Sequence, residues 1–505
     1  MYNFSQLPTP VQQAARFLHE SGESAWLVGG ATRDILLGRS VKDFDFVIAG
    51  DGLHWARCIA RELKGAFVAL DEERLVGRVV IKHEGKPLWI DVARFRGASD
   101  QGDGVSLEED LSLRDFTVNA IALEPLTGSV VDPTGGGADL GSATLRATGP
   151  RAFQDDPLRI LRGIRLHATH HLIIETATWE AMRSSAPALS GIAAERVREE
   201  WLQLLAPSGA MARIALLDDL KVLDVLLPEL VQGKGVTQSS PHSHDVFGHN
   251  LLVLDAIEGL WPWVESGGFW QGELARFVEP MTTHLQEPLA HELPRWLLLK
   301  HVALLHDVAK PTTRTVGKDG RIHFYGHDQV GAKMMGEIMR RMKFSTACVQ
   351  YAEQVLFHHL RPLGLSQHLP PSDRSVYRFY RDVSHDGPDI ALHSMADQRG
   401  KAFATDRVEV VAVVTRLLEA YFEAPERFVR PVPLLDGNDV MALTNLRGPA
   451  VGIMLERLRE AQAQQRIRTR AEAERFVQRE KGNLQAGTSS KRGERGEASS
   501  RRRKF

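Results

Sequence analysis

Cysteine is nearly absent. Cys58 and Cys348 are the only two in 505 residues, too few and too isolated for a disulfide framework or a zinc knuckle. A reducing cytoplasm is the simplest compartment for such a chain. No run of 18 apolar residues occurs, and the opening MYNFSQLPTPVQQAARFLHE has no basic segment leading into an apolar core. Neither a membrane span nor a secretion signal is therefore expected. An excess of one charge is also missing: 62 Lys and Arg stand against 64 Asp and Glu, for a net charge of −2. That excludes a globally basic protein and confines any nucleic-acid site to a local patch. What the chain does have is length, enough for roughly three or four domains with cores of their own.

The densest stretch is Trp26 to Ile48, WLVGGATRDILLGRSVKDFDFVI, which reads as strand, glycine turn, short helix, strand. Trp26, Leu27 and Val28 enter Gly29-Gly30, where missing Cβ atoms let backbone approach a phosphate and a helix start aims N–H groups at it. Arg33 sits one turn into that helix. Asp43 and Asp45 lie two apart on the next strand, so both carboxylates project from one face. Two carboxylates on a rigid edge beside a glycine turn read as a Mg²⁺ site for chemistry on a triphosphate.

Around this unit, residues 8 to 21 read as an amphipathic helix with Val11, Ala14, Ala15 and Leu18 on one face. A helix at Leu53 to Leu63 and strands at Ala66 to Leu70, Arg78 to His83 and Pro87 to Arg96 complete an α/β head. Asp91 is either a third metal carboxylate or an ordinary strand-face aspartate. Gly97 to Ser106 has glycine and polar residues without periodicity, which predicts a mobile surface loop. Leu107 to Leu123 reads as a polar helix running into an apolar one. In FQDDPLRILRGIRL (153 to 166), Pro157 suits a first helical turn, and Asp156, Arg159, Arg162 and Arg165 recur every third residue. Three arginines without acidic partners in that stripe form either a solvated face or an anion and base site.

The ordered set Gly29-Gly30-x-x-Arg33-Asp34, Gly38 and Asp43-x-Asp45 resembles the head of class II nucleotidyltransferases, the family of tRNA CCA-adding enzymes and bacterial poly(A) polymerases. By that resemblance Arg114 and Asp115 are the second and third members of an Arg-Arg-Asp element that contacts the nucleotide sugar and phosphates. Leu113 stands where the first arginine would be, and Asn119 also fits the pattern. Asp155, Asp156 and Arg159 match the family's Glu-Asp-x-x-Arg, in which the Asp and Arg hydrogen-bond the incoming base. The resemblance implies that Asp43 and Asp45 hold Mg²⁺, that Gly29, Gly30, Arg33, Arg114, Asp115, Arg162 and Arg165 position triphosphate and sugar, and that Asp156 and Arg159 choose the base. Glu195 to Leu205 fits the family's neck, its charges serving as salt bridges or as RNA contacts.

The second half reads as helical and gathers histidines. His306-Asp307 lies inside an apolar helix, where buried His and Asp need each other or a metal. The order His249, His306-Asp307, His327, His358, Asp397 resembles the HD phosphohydrolase superfamily. That implies His249, His306, Asp307 and Asp397 as ligands of a transition metal such as Ni²⁺, Co²⁺ or Mn²⁺, with His327 and His358 as further ones; the alternative is an idle HD scaffold that binds RNA. A proline-rich linker from Ala424 to Pro433 leads to LDGNDVM and GPAVGIMLERLREAQ, which resemble the C-terminal element of HD-bearing CCA-adding enzymes. There Gly448 and Gly452 bracket a turn, and Arg457 and Arg459 either meet tRNA phosphates or face solvent. The expected divisions are 1–145 head, 146–235 neck, 236–425 HD domain, 426–480 tRNA-binding helices and 481–505 a disordered basic tail.

The expectation is thus an α/β nucleotidyltransferase head followed by a mainly α-helical body including an HD domain. Its function would be template-independent addition or repair of the 3′-terminal CCA of tRNA from CTP and ATP with Mg²⁺. Rival readings are a poly(A) polymerase, an enzyme adding only CC or only A, and an HD phosphohydrolase with an RNA-binding head.

Overall fold

The amphipathic period near the N-terminus produces Thr9–Glu20 (α1), whose Val11, Ala14, Ala15 and Leu18 are buried. The structure, a computed structural model, describes residues 4–97, 104–264, 268–289, 293–401 and 406–482. Ala25–Val28 (β1) passes through Gly29, at φ +68°, into Gly29–Leu36 (α2). Asp43–Ile48 (β2) follows, then Gly52–Glu62 (α3), capped by the Asp51 carboxylate accepting from the His54 amide at 3.0 Å. Ala66–Asp71 (β3), Val76–His83 (β4) and Lys86–Arg94 (β5) fall where alternation placed them.

These strands join two short ones, Ala122–Leu123 (β6) and Val130–Val131 (β7), in a mixed sheet of order β3-β4-β5-β2-β1-β6-β7. β2 runs parallel to β5, with Asp43 opposite Trp89 and Asp45 opposite Asp91. It runs antiparallel to β1, with Asp45 opposite Val28, so the carboxylate strand is central and cannot slip without moving its apolar face. α1 and α3 cover one face, where Leu18, Leu27, Phe44, Phe46, Ile59 and Ile90 share a core.

The apolar half of Leu107 to Leu123 departs from expectation. Leu107–Ser112 (α4) is a helix with a capping box from Ser106 and Glu109, but the chain then makes a single 3-10 turn at Thr117–Asn119 and enters β6. Val118, Ala120, Ile121, Ala122 and Leu123 are all buried, so a short apolar run became a strand on the edge of β1 rather than a helix. The arginine stretch also starts later than Pro157 suggested. Ala152–Asp155 forms one turn, Asp156 is extended, and the helix proper is Arg159–His170 (α5). Ala194–Leu205 (α6) is a helix, as its charged start and apolar spacing suggested.

The chain divides into two compact units, 1–204 with 212–228, and 205–211 with 229–505. In the second, Val246–Glu258 (α7), Arg295–Leu305 (α8), His327–Arg341 (α9), Thr346–His358 (α10), Gly387–Arg399 (α11) and Val408–Phe422 (α12) are the main helices around the histidines. α8 is apolar nearly all round and correspondingly buried nearly all round. Two small ribbons interrupt the helical expectation, Pro288–Leu289 with Leu293–Pro294 and Thr315–Val316 with Ile322–His323. The second is turned by Asp319-Gly320, with Gly320 at φ +77°. The expected proline-rich linker folds as well: Pro425–Phe428 is one helical turn, and Phe428 is fully buried under Arg416 and Arg427. Pro449–Ala463 (α13) has a core with Leu435, Val440 and Phe476; Gly452 lies inside this helix, and Arg457 is paired with Glu480 at 3.1 Å. Most of the expected loop (98–103) and of the basic tail (483–505) lies outside the described residues. Among the described residues no helix is long and apolar enough to cross a membrane.

Close packing of α3 on the sheet depends on Gly52. A Cβ there would lie 2.2 Å from the Leu75 carbonyl oxygen and 2.7 Å from that of Val92. Gly52→Ala is therefore expected to destabilise the protein by about 1–3 kcal/mol, read as a lower urea midpoint; an unchanged midpoint would show that α3 can move off the sheet freely.

Candidate active site

The head site is assembled from the C-terminal end of β1, the start of α2 and the paired strands β2 and β5. Gly29 matters by its backbone, held at φ +68°, where a side chain is strained; a Cβ there would make only ordinary contacts, 3.5 Å from Asp45 Oδ2 and 3.7 Å from Arg114 Nη1. Parallel pairing places Asp45 beside Asp91. The two carboxylates are treated differently. Arg78 grips Asp91 with Nε on Oδ1 at 2.7 Å and Nη2 on Oδ2 at 2.8 Å, a bidentate pair. Asp45 has no such partner; burial, and secondarily the charge of Asp91, push its carboxyl up to about 6. Asp43 is also raised by burial, against the pull of Arg78. Crowded carboxylates without hydrogen-bond donors are what a hard divalent cation requires, and Asp43 and Asp45 fit Mg²⁺ on that ground. Asp91 is adjacent, but both its oxygens are engaged by Arg78.

Arg33 is buried and held on three sides. Its Nη1 donates to Asn119 Oδ1 at 2.7 Å, and its Nε and Nη2 donate to Asp34 at 3.1 and 3.0 Å. Burial would raise Asp34, but hydrogen bonds from His170 and Arg33 bring it below the usual carboxylate range. Arg114 is clamped by fully buried Asp110 through Nε at 3.0 Å and Nη2 at 2.8 Å. Asp115 accepts from Asn119, from the Phe116 amide and from Arg162, which together with the Arg162 charge overcome its burial and lower it.

The arginine stripe of α5 does have acidic partners, supplied by other elements. Glu200 of α6 accepts from Arg162 Nε at 3.3 Å and from Arg165 Nε at 3.0 Å. Arg159 points its guanidinium at main chain, donating to the carbonyls of Leu113, Arg114 and Ala152 at 2.8, 3.2 and 3.1 Å. It thereby supports the segment where the first arginine of the Arg-Arg-Asp element is absent. Asp156 accepts from Arg196 at 2.8 Å.

Two adjoining cavities result. One of about 560 Å³ is lined by Gly29, Gly30, Arg33, Asp43, Asp45 and the Arg162–Arg165 edge. One of about 800 Å³ runs past Asp91 to Asp155, Asp156, Arg159 and Arg196. Asp45, Arg96, Arg114 and Arg162 line both. Sequence reasoning missed Arg96, whose guanidinium is lowered to about 10 by burial and by Arg114; its place at the end of the β5 stretch, just before the glycine loop, was the available signal. It also missed Asp110, Glu200 and Arg196, which pattern marks only as charged helix residues.

In the second unit, the expected histidines and aspartates do converge. His249 Nε2 lies 3.0 Å from Asp397 Oδ1, and His306 Nε2 lies 3.2 Å from Asp307 Oδ2. His249, His306 and Asp397 form one set able to share an ion; Asp307, His327 and His359 form another. Each imidazole of these sets has Nδ1 on a backbone carbonyl: Gly400 for His249, Ala303 for His306, Phe324 for His327 and Leu356 for His359. That fixes the tautomer and leaves Nε2 for the centre, an arrangement typical of metal-binding histidines. Nε2 of His306 and Nε2 of His327 both turn to Asp307, at 3.2 and 3.5 Å, which fits a shared ion. Burial alone would lower His306, but Asp307 and Asp397 push it up to about 9. The expectation for His358 is corrected: that ring packs on Phe357, and buried His359 faces the cluster instead. One residue turns a helical side chain by about 100°, and an adjacent His-His pair gives pattern no means of choosing. Lys310 and Lys401, also missed, pair with Asp307 at 2.5 Å and Asp397 at 2.6 Å.

Ionising Asp45 inside the fold costs free energy, so its contribution to stability is complete below the ordinary aspartate pKa and is lost as the pH rises through about 6. Asp45→Asn is expected to stabilise the metal-free protein above that pH by about 1–2 kcal/mol, with the gain vanishing below about pH 4. Urea unfolding across pH in chelator checks this; a gain independent of pH would contradict it.

Comparison with known proteins agrees with this geometry. Residues 25–146 match the poly A polymerase head domain, and residues 171–233 match the probable RNA and SrmB-binding site of polymerase A. The A-adding tRNA nucleotidyltransferase of Deinococcus radiodurans is 36% identical over 469 residues, covering 90% of this chain and 95% of that protein. The CC-adding tRNA nucleotidyltransferase of Thermus thermophilus is 31% identical, covering 92% and 96%. Among solved structures, a CCA-adding enzyme in its apo form I shares the fold with a TM-score of 0.63 at 20% identity, covering 94% of this chain and 95% of that one. The chain belongs to the class II tRNA nucleotidyltransferase family, that of the CCA-adding enzymes and their A-adding and CC-adding relatives.

Proposed function

We propose that this protein builds or repairs the 3′-terminal CCA of tRNA from CTP and ATP without a nucleic-acid template. The observation that carries this reading is the pair of adjoining cavities with a shared wall at Asp45, Arg96, Arg114 and Arg162. One holds the carboxylate pair and phosphate-binding groups, and the other holds Asp156 and Arg159. Asp43 and Asp45 would hold Mg²⁺, which when bound activates an attacking hydroxyl and neutralises charge on the leaving pyrophosphate.

The chain's own groups supply orientation. Arg33, Arg162 and Arg165 present positive charge to the triphosphate, and because Asp34, Asn119, Asp115 and Glu200 already fix them, little reorganisation is needed when substrate binds. Arg114 and Asp115 would contact the nucleotide sugar. Asp156 and Arg159 select the base, so protein side chains stand in for a template strand. Free Cys58 and Cys348 suit a reducing cytoplasm, where tRNA is found.

The similarity to an A-adding enzyme favours a second reading, in which only the terminal A is added. Incubating tRNA lacking CCA, and tRNA ending in CC, with CTP, ATP or both, then sequencing the ends, separates the two. Complete CCA on the first substrate is the expected product. Extension of the CC-ended tRNA alone gives the A-adding enzyme, and tails on generic RNA without CTP use give a poly(A) polymerase. Asp43→Asn should lower addition at least about a thousandfold, equivalent to about 4 kcal/mol; addition near the wild-type rate would remove that carboxylate from the mechanism.

The histidine cluster supports a further activity of the HD type. His249, His306, Asp307 and Asp397, with His327 as a further ligand, would hold Ni²⁺, Co²⁺ or Mn²⁺, whose imidazole and carboxylate preferences match the donor set. The reaction would be hydrolysis of a phosphoester. His306→Ala combined with Asp307→Ala is expected to abolish metal-dependent phosphatase and phosphodiesterase activity while retaining nucleotide addition. Absence of such activity in wild-type protein supplied with each metal would make the cluster an idle scaffold.

A further inference from the structure

A third group of histidines and acids lies in the second unit and shares no residue with the cluster around His306. His284, near the C-terminus of helix Val278–Gln286, Glu287 just after it, and His385, in the turn Ser384–Asp386, can each offer one ligand atom such that the three atoms lie within 4.8 Å of one another. The two imidazole rings are 5.0 Å apart.

What surrounds these rings is the arrangement a metal centre needs. Asp389, wholly buried, accepts from His284 Nε2 at 2.6 Å and is itself fixed by the Tyr351 hydroxyl at 2.8 Å and by Arg295 at 3.1 Å. A carboxylate on one nitrogen sets the tautomer and raises the basicity of the other. The nitrogen left for a ligand is Nδ1, and it is buried with no hydrogen-bond partner. A buried imidazole nitrogen without a partner costs free energy unless something occupies it. His385 is held in the same manner, with the Tyr421 hydroxyl on Nδ1 and Nε2 turned to Glu287 Oε2 at 2.7 Å. An ion taking Nε2 would move the ring proton to Nδ1, and the Tyr421 oxygen can accept it.

Charge points the same way. Glu287, Asp386 and Asp389 share the guanidinium of Arg295, with Arg430 farther off toward Tyr421, so a divalent cation would offset the remaining negative charge. The buried side is His284 and Asp389, whereas Glu287 and His385 are 43% and 36% exposed at their side chains, so an ion can enter from solvent. We propose that His284, Glu287 and His385 form a divalent transition-metal site of the zinc class, with Asp389 and Tyr421 as positioning residues. Two imidazoles and one carboxylate are the donor set such ions select, and they leave one coordination position to water. Bound there, the ion ties helix Val278–Gln286 to the start of α11.

Full-length protein stripped with chelator and loaded with Co²⁺ tests the site. Glu287→Gln and His385→Ala, both at the exposed side, should each lose one bound Co²⁺ per chain relative to wild type, with loss of part of the visible absorption. In wild-type protein, Co²⁺ or Zn²⁺ should protect His385 from diethyl pyrocarbonate in peptide mapping, and chelator should restore its reactivity. This second measurement needs no variant and so does not depend on either variant folding. The proposal is overturned if both variants bind as much metal as wild type, or if His385 reacts equally with and without metal.

Discussion

Three carboxylates on two neighbouring strands repel one another, and the head is organised around keeping them close. The parallel register of β2 with β5 sets Asp45 beside Asp91 and fixes Asp43 two residues away. Without compensation such a group is an electrostatic defect in the middle of a sheet. Arg78 cancels one member by a bidentate grip and only partly offsets the other two, which burial and mutual repulsion leave raised. Selective neutralisation of this kind converts a row of acids into a site with vacant charge for one hard cation. The apolar core behind β2, in Phe44, Phe46 and Ile48, makes the register stiff enough to bear the strain.

The cationic side of the site follows a complementary rule. Arg33, Arg114, Arg162 and Arg165 are each paired with an acid from outside the reactive edge: Asp34, Asp110, Asp115 and Glu200. Pairing lowers the cost of gathering so many like charges in one wall. It also holds guanidinium planes in set directions before a triphosphate arrives, so the site loses less side-chain entropy on binding. Arg159 is the exception, because it spends its donors on three carbonyls. Removing that guanidinium would therefore disturb residues 113 and 114 as well as the cavity they line.

Sequence made the strands, the glycine turn and the Asp43/Asp45 edge legible, because period-two alternation and Gly-Gly spacing are local signals. Where the outcome depended on partners distant in the chain, it was hidden. The stripe of α5 looked free of acids because Glu200 is 35 residues from Arg165. The apolar segment at 118–123 lacked the length to choose helix or strand, and only the open edge of β1 decided it. His358 and His359 were indistinguishable as letters, though a rotation of one residue separates a half-buried ring on Phe357 from one in the cluster. The residues that brace others, Asp110, Arg78 and Asp389, carry no motif at all, since any acid or arginine reaching the right spot would serve.

The two units differ in the donor types they gather. In the head, bare carboxylates on a sheet suit an oxygen-seeking ion that keeps its waters and meets phosphate. In the helical unit, His249, His306, His327 and His359 each have Nδ1 on a carbonyl, and His284 has Nε2 on a carboxylate, which leaves the other nitrogen for softer ions. Helices make the second arrangement easy: the carbonyl three residues before His306, His327 or His359 is within reach of Nδ1, so the chain itself orients the ring. A strand has no such carbonyl to lend. Carboxylates on the sheet and imidazoles on the helices thus give the two units donor sets of different hardness, each held by the secondary structure that carries it.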